Sequence, residues 1–113
     1  MNTSTITVLL VNPCEAPKPI EIPAELFAYQ QLVGGTIHAI YPSMEDPIVL
    51  ICNDEGKLLG LPWNRPLFDD EDNLYDIIAG PFFVAGLSDD DFASLSPELI
   101  QKYSDRFRTV YLF

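Results

Sequence analysis

Apolar and polar positions are grouped in short blocks along the chain. Thr5 to Val11 is almost all Ile, Val and Leu, which predicts a buried strand ended by Asn12-Pro13. Glu15 to Pro23 holds three prolines with Ile20 and Ile22 alternating between them. That suits a loop and then a short edge strand, because proline weakens a central ladder. Pro23 also suits the first turn of a helix, and Ala24 to Val33 follows with good helix formers and Leu26, Tyr29 or Gln30, and Val33 at helical spacing. Gly34-Gly35 stops this helix with a left-handed cap.

Thr36 to Tyr41 alternates as a half-buried strand. Pro42 to Pro47 reads as a turn, and Ile48 to Cys52 is the most strand-like run in the chain. Asn53-Asp54-Glu55-Gly56 predicts a tight turn with Gly56 at positive φ, and Lys57 to Leu59 the returning strand of a hairpin. Gly60, Pro62 and Pro66 predict an irregular loop, followed by an exposed acidic segment from Asp69 to Asp76. Tyr75 to Val84 reads as one apolar strand interrupted by a bulge or kink at Gly80-Pro81. Ser88 before Asp89, Asp90 and Asp91 predicts a helix start, as does Ser96-Pro97-Glu98. The second start leads a stripe of Leu99, Ile100, Tyr103 and Phe107 over Pro97 to Phe107, and Arg108 to Phe113 reads as a terminal strand. The sum is a single α+β domain over residues 1–113, an antiparallel or mixed sheet with about three helices packed on it.

Charge narrows the functions open to such a domain. Seventeen acidic and six basic side chains among 113 residues give a net charge of −11. Direct nucleic-acid binding needs a Lys/Arg stripe to displace counterions from phosphates, and an anionic membrane surface needs the same. Neither partner fits. The apolar runs Ile6 to Val11 and Ile77 to Gly80 are far short of the roughly 18 residues that span a bilayer. Polar Asn2-Thr3-Ser4 without a basic region predicts no signal peptide, so a cytoplasmic setting is expected. DNA mimicry fits the sign of the charge, and so does plain solubility.

Catalytic or metal chemistry is hard to assemble. His38 is the sole histidine and alternates with apolar neighbours in a strand, where a structural role is the commoner one. An enzyme would have to pair it with a carboxylate as acid and base. Cys14 and Cys52 lack the surroundings of a thiolate nucleophile and can form one disulfide at most. One histidine and two distant cysteines make no zinc site. Asp69 to Asn73 lacks the loop glycine and distal glutamate of an EF-hand. No catalytic residue, metal or cofactor is therefore assigned. The informative stretch is Asn53 to Arg65, which gathers two of the six cations, two asparagines and the sole tryptophan. An Arg fork beside Asn amides recognises planar anionic ligands such as nucleotides, and Trp63 offers a stacking face. The same residues also read as structural, with Arg65 pairing with Asp69 to Glu71 and the asparagines capping turns.

The segments Val33-Gly34-Gly35-Thr36-Ile37, Asn53 to Leu58, Leu61 to Arg65 and Ile77 to Gly86 together carry a VGG…NxEGKL…LPxNR…IxGxFxxxG signature. It resembles a family of small proteins of unknown function in bacteriophages, conjugative elements and their Firmicutes-type hosts. The resemblance implies a mobile-element protein acting in the host cytoplasm. Joined to the residues, it suggests a non-enzymatic protein that binds a small nucleotide-like ligand, as an anti-defence sponge sequesters an immune-signalling nucleotide. Asn53, Lys57, Asn64 and Arg65 would line the pocket, with Tyr41, Trp63 or Tyr75 stacking on a base. The alternative is an acidic interaction module, a DNA mimic or an inhibitor docking on a basic host protein through Asp69 to Asp72 and Asp89 to Asp91. Self-association into a homo-oligomer is open under either.

Overall fold

The computed structural model describes residues 4–42, 45–69, 71–88 and 91–111. Among them the order is β1 (Thr5–Val11), β2 (Lys18–Pro23), α1 (Leu26–Val33), β3 (Ile37–Ile40) and β4 (Ile48–Asn53). Then come β5 (Trp63–Phe68), β6 (Leu74–Ala79), β7 (Phe82–Leu87), β8 (Phe92–Ala93) and α2 (Pro97–Arg106). The main sheet runs β2-β1-β7-β4-β3, with β8 also on β7, and β5 and β6 form a separate ribbon. Every pairing is antiparallel.

Period two along the strands divides the core between the two faces of this sheet. On one face Val8, Leu10, Val49, Ile51, Phe83 and Ala85 pack with Tyr29 and Val33 of α1. On the other, Leu9, Val11, Ile48, Leu50, Phe82 and Val84 pack with Tyr103 and Phe107 and with Leu67 and Ile78 of the ribbon. Strands β1, β4 and β7 are thus covered on both sides, which is why their sequences are continuous apolar runs. Helix α2 begins as its sequence predicts: Ser96 Oγ accepts from the Leu99 N–H at 3.3 Å, Pro97 takes the first turn, and Leu99, Ile100, Tyr103 and Phe107 face the core.

Several expectations are corrected. There are two helices among the described residues, not three. The Ser88 N–H and Oγ both donate to the Asp91 carbonyl, at 2.8 and 3.0 Å, closing a turn that leads into β8. Asp89 and Asp90 lie outside the described residues. Helix α1 starts at Leu26 with Glu25 as its N-cap, and Pro23 ends β2 instead of opening the helix. Its C-cap is the expected one, Gly34 at φ +80°. No hairpin continues β4: Lys57 to Leu59 lies in a turn spanning residues 54–60. Gly56 is not at positive φ there. It is required because a Cβ would lie 2.6 Å from the Ala79 carbonyl oxygen, so the turn can press against the end of β6.

The expected loop through Pro66 is strand β5, whose register shifts between Trp63 and Pro66. The run Tyr75 to Val84 is two strands in two sheets, divided at Gly80 with φ +86°. Arg108 to Tyr111 forms no strand, while Leu112 and Phe113 lie outside the described residues, as do Ser43 and Met44 of the turn before β4. Cys14 and Cys52 are both free thiols.

Candidate functional site

Asn53 closes β4 and anchors the turn next to it. Its Nδ2 donates to the Val33 carbonyl at 3.1 Å, and its Oδ1 accepts from the Glu55 N–H at 2.7 Å. One amide therefore ties the end of α1 to the start of the turn. The Leu59 N–H donates to the Glu55 carbonyl at 2.9 Å and the Leu61 N–H to the Gly56 carbonyl at 3.0 Å, winding the turn tightly. Pressed against β6, the turn leaves a cleft of about 480 Å³ between itself, the face of β3 and β4, and residues Asp76 to Ala79. That volume lies within the range of small-ligand sites.

Apolar side chains and carboxylates divide the cleft lining. Ile40, Cys52 and Ile78 supply apolar surface, and Asp54, Glu55 and Asp76 set three carboxylates against one lysine, Lys57. Lys57 is ion-paired with Asp76. His38 Nδ1 stands 3.6 Å from Asp54 Oδ1, both side chains more than half exposed. The Cys52 thiol donates to the His38 carbonyl at 3.8 Å. Burial, reinforced by Asp76 and Asp54, pushes this thiol up to about 11, so at neutral pH it is protonated and not a nucleophile. Among the described residues no three His, Cys, Asp or Glu side chains are placed to hold a metal ion. No described helix is long and apolar enough to cross a membrane.

The other expected ligand residues lie elsewhere. Asn64 and Arg65, on β5, point into the protein. Asn64 Nδ2 donates to the Val11 and Gly80 carbonyls, each at 2.9 Å, and its Oδ1 accepts from Arg65 at 2.8 Å. Arg65 also donates to the Phe107 carbonyl at 3.0 Å and the Glu15 carbonyl at 2.5 Å, and is 1% exposed. Burial lowers the pKa of its guanidinium. It touches a second pocket of about 340 Å³, shared with Phe68, Asp69, Asp72, Arg106 and Tyr111. Tyr41, Trp63 and Tyr75 are exposed, at 63%, 45% and 47%, and none of them lines either pocket. The structure therefore brings together Asn53 and Lys57 and separates both from the Asn64–Arg65 pair and from the three aromatics.

A protein-family model, a domain of unknown function designated DUF3846, matches residues 6–108. The chain belongs to the DUF3846 family. The match runs from β1 past the end of α2 and includes every residue of the larger cleft. No curated protein and no solved structure matches the chain. In this DUF3846 domain the cleft residues absent from the expected ligand set include His38, Ile40, Cys52, Asp54, Glu55, Asp76 and Ile78. A signal for the first four exists in the strand register. His38 stands opposite Cys52, and a two-residue period places Ile40 and Asp54 on the same side as that pair. Asp76 carries no such signal, since its strand belongs to the other sheet.

Proposed function

We propose that this domain is a non-enzymatic acidic interaction module that docks on a basic protein partner. The observation that carries this reading is the disposition of the six cations. Arg65 is buried on internal carbonyls, while Lys57, Lys102 and Arg108 are ion-paired with Asp76, Asp46 and Asp105. Those pairs engage only three of the seventeen carboxylates, and the net charge is −11. A cationic surface is attracted and oriented by such a field, and an anionic ligand is repelled by it. The mobile-element setting implied by the sequence signature would make the partner a host protein. Binding of basic peptides and small basic proteins, measured at low and high ionic strength, tests the reading. Affinity should fall by about tenfold as screening shortens the reach of the charges, and affinity indifferent to salt sinks it.

A second reading, a small nucleotide-like ligand held without turnover, is favoured by the cleft itself. Ile40 and Ile78 offer an apolar seat for a base, and Lys57 a cation for a phosphate. Native mass spectrometry with a panel of cyclic and ADP-ribose-type nucleotides separates the two. A stoichiometric adduct released unchanged supports the ligand reading, and one released chemically altered supports an enzyme.

A further inference from the structure

We propose that an extended, basic segment of the partner adds as a strand to the outer edge of β3 and lays a Lys or Arg side chain in the cleft beside it. The inference rests on the interaction-module reading and names its docking site. The Asp54 N–H donates to the Thr36 carbonyl at 2.8 Å, which makes residues 36 and 54 a hydrogen-bonded pair. In an antiparallel ladder such pairs alternate with unbonded ones. With Ile37 opposite Asn53 and His38 opposite Cys52, the groups bonded to β4 are those of His38 and Ile40. The N–H and C=O groups of Ile37 and Ala39 then face outward. Among the described residues no strand pairs with that side of β3.

The two edges of the main sheet differ in how they are guarded. On the far edge, β2 carries Lys18, Glu21 and two prolines, Pro19 and Pro23, the devices that block strand addition. On β3 the sequence is Ile-His-Ala-Ile, with no proline, no lysine and no carboxylate. An open edge next to a cleft is the arrangement of strand-addition recognition, in which backbone bonds supply affinity and a pocket for alternate side chains supplies selectivity.

Charge complementarity decides the occupant. A strand added about 4.8 Å beyond β3 sets its alternate side chains beside His38 and Ile40, at the mouth of the cleft. A Lys or Arg there lies with its methylene stem along Ile40 and Ile78 and its head among Asp54, Glu55 and Asp76. A second copy of this chain would instead bring a net charge of −11 and the same carboxylates to the edge, which like charges oppose.

The test uses a capped peptide, Thr-Val-Lys-Val-Thr, labelled for fluorescence anisotropy, and the same peptide with Glu in place of Lys. The Lys peptide should bind and the Glu peptide should not. Ala39→Pro removes an outward N–H without touching the ladder to β4, and should weaken binding by at least about tenfold. Asp54→Asn combined with Asp76→Asn should weaken it similarly. Amide hydrogen exchange on the unaltered protein supplies a readout that does not depend on a variant folding: peptide should slow exchange at Ile37 and Ala39. Unchanged exchange at those two amides overturns strand addition, as does binding that survives Ala39→Pro in a folded variant. Salt-sensitive binding of other basic probes in that event leaves the interaction-module reading standing. If neither the peptide nor any other basic probe binds, both fall together.

Discussion

Arg65 holds three parts of the chain at once. Its guanidinium and Nε reach the Phe107 carbonyl beyond α2, the Glu15 carbonyl after β1 and the Asn64 side chain. Arg65→Ala strands those buried acceptors and leaves a cavity, at a cost of roughly 3–4 kcal/mol. Thermal denaturation should show a melting temperature lower by roughly 12–16 °C, whereas a fold of unchanged stability would return Arg65 to a ligand role. Tyr29 presents the opposite case. It is 4% exposed between Phe83 and Phe92, and among the described residues its hydroxyl has no hydrogen-bond partner. Burial raises its pKa, with Asp91 and Glu25 adding to the shift. Tyr29→Phe should therefore leave the melting temperature equal or higher, by up to about 1 kcal/mol in stability; a clear drop would reveal a partner for the hydroxyl. Neither environment is legible in the sequence. An Arg fork beside an Asn looks the same whether it faces a ligand or the chain's own carbonyls, and here those carbonyls belong to residues 42 and 50 positions away.

Elements were legible where local pattern and tertiary setting agree. Ile, Val and Leu mark β1 and β4, and the Ser96-Pro97 start with its apolar stripe marks α2. The cleft was half legible: the turn after β4 stood out by composition, but its wall on β6 depends on a change of sheet at Gly80 that an unbroken apolar run conceals. The docking of α2 carries a pH prediction. Lys102 Nζ and the Tyr103 hydroxyl donate to Asp46 Oδ2 at 2.6 and 2.8 Å, joining the helix to the segment before β4. These bonds hold the Asp46 carboxyl below its usual range. A group whose folded pKa is depressed binds fewer protons folded than unfolded. The stability it lends is whole above about pH 4 and is lost as pH falls through the folded value. Asp46→Asn should lower the melting temperature at pH 7 and narrow the gap to the parent protein below pH 4. A gap independent of pH would show that the carboxylate's charge is not what holds the helix.

At the scale of the whole molecule, a net charge of −11 on one short chain repels itself. Added salt should raise the melting temperature by screening that repulsion while weakening attachment to a basic partner, two trends of opposite sign from one cause. A melting temperature that falls with salt would place more stability in the surface ion pairs than in relief of repulsion. The order of the sheet has a consequence of another kind. Strands β1 and β2 lie on one side of β7 and β3 and β4 on the other, and the main sheet joins the two pairs through β7. On the ribosome both pairs are made before the strand that unites them, and the 71 residues from Val11 to Phe82 take on the order of 4 to 14 s to synthesise at ~5–20 residues/s. β1 waits through all of that interval and β4 only from Asn53 onward, each with an unpaired apolar flank until Phe82 to Leu87 arrive to join them.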